Sequence, residues 1–152
     1  MPTYWLYKTE PSTFSIEDLR RVGRTAWEGV RNYSARNHLR EAKIGDLVLF
    51  YHSSTKPMAV AGTAKVVKAA YPDPSQFDPK SEYFDKDAKR DDPRWSLVDI
   101  EFTEAFVNPV TLDEMKAMPA LNGMVLLKRG RLSVQPVTAG EWNAIVKRGR
   151  GT

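Results

Sequence analysis

An α+β fold, a small mixed sheet curled into a barrel and flanked by short helices, is what this chain predicts. Three observations carry the prediction. Strand-like segments are separated by irregular loops, which argues against a doubly wound alternation of strand and helix. The helical segments are short, and each opens on a recognisable cap. The chain has 152 residues, the size of a single domain able to bury about two-thirds of its unfolded surface around one core. One domain spanning residues 1–152 is therefore expected.

Taken in order, Tyr4 to Lys8 alternates aromatic and aliphatic residues up to Glu10-Pro11, which predicts a strand ended by a pair that disfavours continuation. Ser15, with Asp18 three residues on, opens a helix through Val22 that stops at Gly23. Tyr33 to Ala42 lacks Gly and Pro and predicts a second helix. After the Gly45-Asp46 turn, the unbroken apolar run Leu47 to His52 predicts a strand covered on both faces. Ala59 to Ala70 carries Val60, Thr63, Val66 and Val67 around Gly62, a strand in which the glycine marks a bulge.

Residues 71–94 hold four prolines among many charges, too long for a plain connector. Tyr83-Phe84 inside that segment favours function over disorder. Trp95 to Val107 alternates as a strand that Asn108-Pro109 is expected to break, and Thr111 to Glu114 reads as a capping box. Arg131 to Gln135 predicts a strand ending at Pro136. Thr138 with Glu141 caps a last helix bearing Trp142, Ile145 and Val146 on one face. The count is about five strands and four or five short helices.

Composition narrows the function classes. Hydrophobic residues make up 41% and charged residues 28%, values of an ordinary globular chain. The net charge of +4 mildly favours a polyanionic partner such as nucleic acid. With no cysteine, disulfides, thiolate metal sites and cysteine nucleophiles are excluded. No apolar run approaches the ~20 residues of a membrane span, and no basic segment leads into an apolar stretch at the N-terminus, so an intracellular, cytoplasmic location is expected. Phosphate-cradling glycine loops and His-x-x-x-His patterns are absent, so neither cofactor nor metal is expected.

The most informative segment is Trp27-Glu28-Gly29-Val30-Arg31-Asn32-Tyr33-Ser34-Ala35-Arg36-Asn37. It gathers aromatics that stack on a base, amides that match a base edge and arginines that match phosphates. Asn32 is equally suited to capping the helix that begins after it.

In Trp5-Leu6-Tyr7-Lys8-Thr9-Glu10-Pro11, the Trp27 to Asn37 segment, Gly45-Asp46, Phe50-Tyr51-His52-Ser53, Trp95 to Asp99, Arg131 to Pro136 and Glu141-Trp142, the chain resembles the EVE domain family. That family belongs to the PUA-like barrels and is similar to the YTH readers of methylated RNA. The resemblance implies a PUA-like curled mixed β-barrel of about five to six strands. It also implies a non-catalytic reader of nucleic acid carrying a modified base, DNA or RNA, flipped into an aromatic-lined pocket.

Carried over by position, Trp27 resembles the first cage tryptophan, with Asn32 and Tyr33 as polar and aromatic walls. His52 and Ser53 end one strand facing the pocket, and Lys8 and Glu10 end another. The second cage aromatic falls at Tyr83 or Phe84, where the YTH pattern has a tryptophan. Arg31, Arg36, Lys56 and Arg131 are the expected phosphate contacts. Because EVE relatives also occur fused to effectors, an effector protein is a further expected partner of what would be a monomer.

Two other readings stand beside this one. A PUA-like module could recognise structured RNA by shape, without a base pocket. A metal-dependent nuclease could draw on Asp99 and Glu101, which share a strand face, or on Glu82, Asp85, Asp87, Asp91 and Asp92. The loop acids alternate with Lys86, Lys89 and Arg90, the mark of a solvated mixed-charge segment. Ser53 beside His52 is no nucleophile pair, because neighbours on a strand point to opposite faces.

Overall fold

A computed structural model describes residues 2–151 of the chain. Six strands, β1 (Tyr4–Thr9), β2 (Arg24–Ala26), β3 (Leu47–His52), β4 (Ala59–Pro72), β5 (Ser96–Thr111) and β6 (Val134–Val137), form one mixed sheet in the order β2-β5-β4-β3-β1-β6. Only β1 and β3 run parallel. The edge strands β2 and β6 do not pair with each other, so the sheet is not closed by hydrogen bonds. Among the described residues five α-helices accompany it, α1 (Ile16–Val22), α2 (Tyr33–Glu41), α3 (Leu112–Lys116), α4 (Val125–Lys128) and α5 (Ala139–Gly149), with short 3-10 turns at Pro74–Phe77 and Pro119–Leu121. No helix among the described residues is long and apolar enough to cross a membrane.

The central strands alternate between two cores. Trp5, Tyr7, Val48 and Phe50 join Leu19 of α1 and Leu39 of α2 on one face, while Leu6, Leu49 and Tyr51 join Met115 of α3 and Ile145 of α5 on the other. That double cover is what the unbroken apolar run in β3 demands. Each fully buried aliphatic or aromatic side chain contributes about 1.5–3 kcal/mol of transfer free energy.

Local signals set the helix starts. Ser15–Asp18, Thr111–Glu114 and Thr138–Glu141 each form a reciprocal capping box, satisfying N–H groups that a helix end leaves unpaired. Gly23 ends α1 at φ +81°, a conformation that costs other residues a Cβ clash. Gly62 sits at a register shift between β4 and β5, and a Cβ there would lie 2.2 Å from the Glu104 carbonyl oxygen. The bulge expected at this glycine thus reflects two backbones in close approach.

Several boundaries differ from the sequence expectation. Asn108-Pro109 does not end β5, which continues to Thr111. Between the pairs Gly62–Ala105 and Val60–Val110 the strand carries extra residues, and in such a bulge proline's missing N–H costs no ladder bond. β6 starts at Val134 rather than at residue 131 and runs through Pro136, tolerated because β6 is an edge strand. β2 and α4, of three and four residues, are too short to show periodicity.

The proline-rich segment after β4 is pinned by buried polar side chains. Gln76, with no exposed surface, donates to the Asp73 and Trp95 carbonyls and accepts from the Trp95 N–H. One amide therefore ties the two ends of the segment together.

Candidate nucleic-acid interface

A cavity of about 750 Å³ opens where the sheet fails to close. Its walls come from the end of β1 (Lys8, Thr9) and Glu10 beyond it, from Phe14, from β2 (Thr25, Ala26) and the chain after it (Trp27 to Arg31), from Glu82 and Tyr83, and from Ser133 just before β6. The edge strand β2 contributes directly, and β6 only through Ser133, the residue before it. The gap left between β2 and β6 is the hollow, and its size lies within the roughly 300–1,000 Å³ typical of small-molecule sites.

Trp27 closes the inner end. Its backbone N–H extends the β2–β5 pairing to the Val98 carbonyl at 2.8 Å. Its ring packs against Tyr7 at 5.7 Å, Phe50 at 5.6 Å and Phe14 at 6.4 Å between centroids. Only 8% of the residue remains exposed. The expected indole slot is thus mainly a core ring, whose small free surface belongs to the cavity it lines.

Tyr83 provides a second aromatic wall through Gly29. At φ +86°, Gly29 leaves room for the Tyr83 ring, whose atoms would stand 2.7 Å from a Cβ there. Asp73, with no exposed surface, fixes this arrangement. One carboxylate oxygen accepts from the Gly29 N–H (2.9 Å) and the Arg31 guanidinium (3.2 Å), and the other from the N–H and hydroxyl of Ser75. Sequence reasoning singles out neither Gly29 nor Asp73. The one available signal is a glycine between a tryptophan and an arginine.

Arg31, expected on phosphate, has no donor to spare. Nε and Nη2 donate to the Tyr83 carbonyl, Nη1 to the Val30 carbonyl and Asp73, and Nη2 also to the Ser75 hydroxyl. That matches the five N–H groups a guanidinium possesses. Its plane also faces the Trp95 and Tyr83 rings at 5.5 and 5.8 Å. Arg31 is therefore the fastener of the cavity wall.

Besides Phe84, four other expected pocket residues lie outside the cavity wall. Asn32 caps α2, its side-chain oxygen accepting from the Ala35 N–H at 3.0 Å, which resolves the two uses its position allowed. Tyr33, 52% exposed, stacks on Trp95 at 5.0 Å, and the Arg36 guanidinium lies over the Tyr33 ring at 4.8 Å. His52 accepts from the Ile16 N–H at the start of α1 (3.1 Å), which requires an unprotonated Nε2. Desolvation pulls its pKa below the ordinary histidine value in keeping with that role. Ser53 extends the β-ladder by donating its N–H to the Thr9 carbonyl.

Lys8 and Glu10 line the cavity, and so do Glu28 and Glu82, which the sequence does not single out for the pocket. Lys8 is half-buried, with a pKa lowered by desolvation, and its ammonium donates to the Gly130 carbonyl. Desolvation raises the Glu28 carboxyl above its usual range, Asp73 and Glu82 add to the rise, and Arg31 opposes it. The walls thus present three carboxylates, Glu10, Glu28 and Glu82, while both lining cations are engaged with backbone carbonyls. Such a cavity suits a neutral guest carrying N–H donors and repels an anion.

Among the remaining expected site residues, Phe84 is 43% exposed and borders a shallower depression of about 360 Å³ beside Tyr83 and Trp95. Arg36 donates to the Asn37 side chain and the Arg94 carbonyl, bracing the loop rather than facing the cavity. Lys56 is exposed on the β3–β4 loop, away from the cavity lining, and Arg131 is exposed two residues from Ser133. Of the acids weighed for a nuclease, three are engaged with other side chains: Asp99 with the Tyr71 hydroxyl (2.5 Å) and Arg24 (3.5 Å), Glu101 with Lys65 (3.7 Å), and Asp85 with the Trp95 indole N–H (2.8 Å). No cluster of three or more His, Asp or Glu side chains fit to hold a metal occurs among the described residues.

With the geometry in place, comparison with known proteins is decisive about kinship, because the sequence profile described as EVE domain matches residues 3–148. The chain belongs to the EVE domain family. Human thymocyte nuclear protein 1 is 39% identical over 165 residues, covering 96% of this chain and 73% of that one. A solved structure of human THYN1 protein in complex with 5-methylcytosine containing DNA is 39% identical and superposes with a TM-score of 0.93, over 97% of each chain. This EVE domain also shares its fold with the YTH domain of the Zygosaccharomyces rouxii MRB1 protein in complex with N6-methyladenosine RNA, at TM-score 0.57 and 15% identity, over 98% of this chain and 87% of that one.

Proposed function

We propose that this EVE domain is a non-catalytic reader that takes a modified nucleobase, flipped out of its strand, into the cavity between β2 and β6. The observation that carries the reading is the cavity's composition: the aromatic rings of Trp27 and Tyr83 in its wall, with the carboxyl groups of Glu10, Glu28 and Glu82 and the hydroxyls of Thr13 and Ser133 as polar groups. A base is flat, uncharged and edged with N–H donors. Carboxylates accept from the exocyclic amine of cytosine, so an amino-bearing base meets these walls better than a phosphate does. Because a relative of 39% identity was crystallised with 5-methylcytosine DNA, a modified cytosine in DNA is the first ligand to test.

Magnitudes constrain the mechanism. Extracting a base from a duplex costs a few kcal/mol, and aromatic stacking returns about 1–3 kcal/mol per base. Trp27 alone, with little free surface, falls short, so Tyr83 has to contribute. Burying one methyl adds about 0.8 kcal/mol, only about fourfold in affinity. Stronger discrimination requires that the unmodified base leave a void against walls that Asp73, Arg31 and Gly29 hold rigid.

The test is a titration of oligonucleotides bearing cytosine, 5-methylcytosine, adenine or N6-methyladenine at one position, as DNA and as RNA, at one salt concentration. A preference for one modified base supports the reading. Equal affinity across the panel refutes it and favours recognition by shape alone.

A further inference from the structure

The cavity can hold a base but not the charged chain that carries it. Phosphates are repelled by Glu10, Glu28 and Glu82, and the two cations of the cavity wall are already held by carbonyls. The backbone of a bound strand must therefore lie on the rim, against cations that no carboxylate neutralises. One such group stands beside the cavity. Lys128, Arg129 and Arg131 are all exposed or half-exposed, and no carboxylate pairs with any of them among the described residues.

The backbone of this turn is fixed from three sides. The Arg129 carbonyl accepts from the Leu132 N–H (3.2 Å) and from the Gln135 side chain (3.4 Å), and that side chain also donates to the Leu132 carbonyl (2.8 Å). Gln135 has no exposed surface. The Gly130 carbonyl accepts from Lys8, itself part of the cavity wall, and the Lys8 N–H donates to the Ser133 carbonyl at 2.9 Å. The turn is thus attached to the cavity wall, with three charges at the solvent boundary. A rigid frame reduces the ordering cost of binding an anion there.

We propose that the turn Lys128-Arg129-Gly130-Arg131 is the phosphodiester-binding rim of this site, gripping the strand that flanks the flipped base. It supplies salt-dependent affinity, and the cavity supplies base discrimination. The inference rests on the reading of the cavity as a base site, and the two can be separated experimentally.

The experiment measures affinity for a single-stranded DNA oligonucleotide with one 5-methylcytosine, and for its unmodified twin, between about 50 and 200 mM salt. It compares the intact protein with the triple variant Lys128→Gln, Arg129→Gln, Arg131→Gln. Every phosphate that the protein no longer neutralises lowers the slope of log K against log salt by about 0.7 on a single strand. The triple variant is expected to flatten the slope by about two, with the ratio of modified to unmodified affinity unchanged. An unchanged slope overturns the rim assignment while a persisting ratio keeps the cavity reading. A flattened slope without any ratio in the intact protein supports the rim and overturns the cavity reading. Circular dichroism of the variant guards against unfolding, and Lys116→Gln, exposed on α3, serves as the single-charge control that should leave the slope nearly unaltered.

Discussion

Two halves of one short segment carry the same kinds of residue and do different work. Residues 27–31 turn inward to line the seam of the sheet, whereas residues 32–36 build a stack in which Arg36, Tyr33, Trp95, Arg31 and Tyr83 follow one another at centroid separations of 4.8–5.8 Å. Arg31 belongs to both, touching the cavity while every donor it has is engaged. The difference shows that residue type alone does not mark a binding group. A side chain is available to a ligand when its hydrogen-bonding and stacking partners are not already supplied by the protein.

The comparison can be broken most severely at its shared support. Asp73→Asn removes the charge that holds Arg31 and the Gly29 N–H, leaving a guanidinium only 23% exposed without its counterion. Breaking a buried pair from one side costs about 3–5 kcal/mol. Urea denaturation should show a loss of that size, accompanied by loss of oligonucleotide binding. A variant as stable as the parent would mean that Arg31 and Asp73 do not brace the wall.

A change at Gly29 acts more narrowly. Gly29→Ala forces a side chain into φ +86° and against the Tyr83 ring, a strain of about 1–2 kcal/mol. The expected result is modest destabilisation with a larger fall in discrimination between modified and unmodified base. Discrimination that survives intact would remove Tyr83 from the site.

On the stacked half the prediction inverts. Tyr33→Ala removes a half-exposed ring from Trp95 and should cost about 0.5–1.5 kcal/mol of stability in thermal melts. The affinity ratio should stay where it was.

The smallest expected effect is a dependence on pH set by His52. Its pKa is lowered in the folded state, and its Nε2 must accept from the Ile16 N–H. Above the unfolded value of about 6.5 its contribution to stability is fully present. As pH falls through the lower folded value, the unfolded chain binds the extra proton first and the contribution is lost. His52→Gln should flatten the decline in melting temperature just below about pH 6.5, and parallel curves for the two proteins would contradict the assignment.

How much of this is legible in the sequence depends on how far each signal reaches along the chain. Capping boxes at Ser15, Thr111 and Thr138 and the apolar run of β3 are local, so the sequence places these elements correctly. Pro109 and Pro136 read as strand breakers because bulge and edge positions are properties of the sheet, and β2 is invisible at three residues. At the site, Trp27, Lys8, Glu10 and Tyr83 are expected in the pocket and do line the cavity. Asn32, His52 and Arg31 have the right chemistry, yet their partners, Ala35, Ile16 and Asp73, are assigned by the fold. Glu28 and Glu82 escape notice because lone carboxylates look like ordinary surface until the cavity that holds them is seen.

The central claim is that the guest enters the seam beside Tyr83 and not the outward stack at Tyr33. It is tested most directly by measuring, at one salt concentration, the affinity ratio of methylated to unmethylated oligonucleotide for Tyr83→Ala and Tyr33→Ala side by side. The account predicts a ratio that collapses toward one in Tyr83→Ala and keeps its parental value in Tyr33→Ala. The opposite pattern, or a ratio that both variants retain, would contradict it.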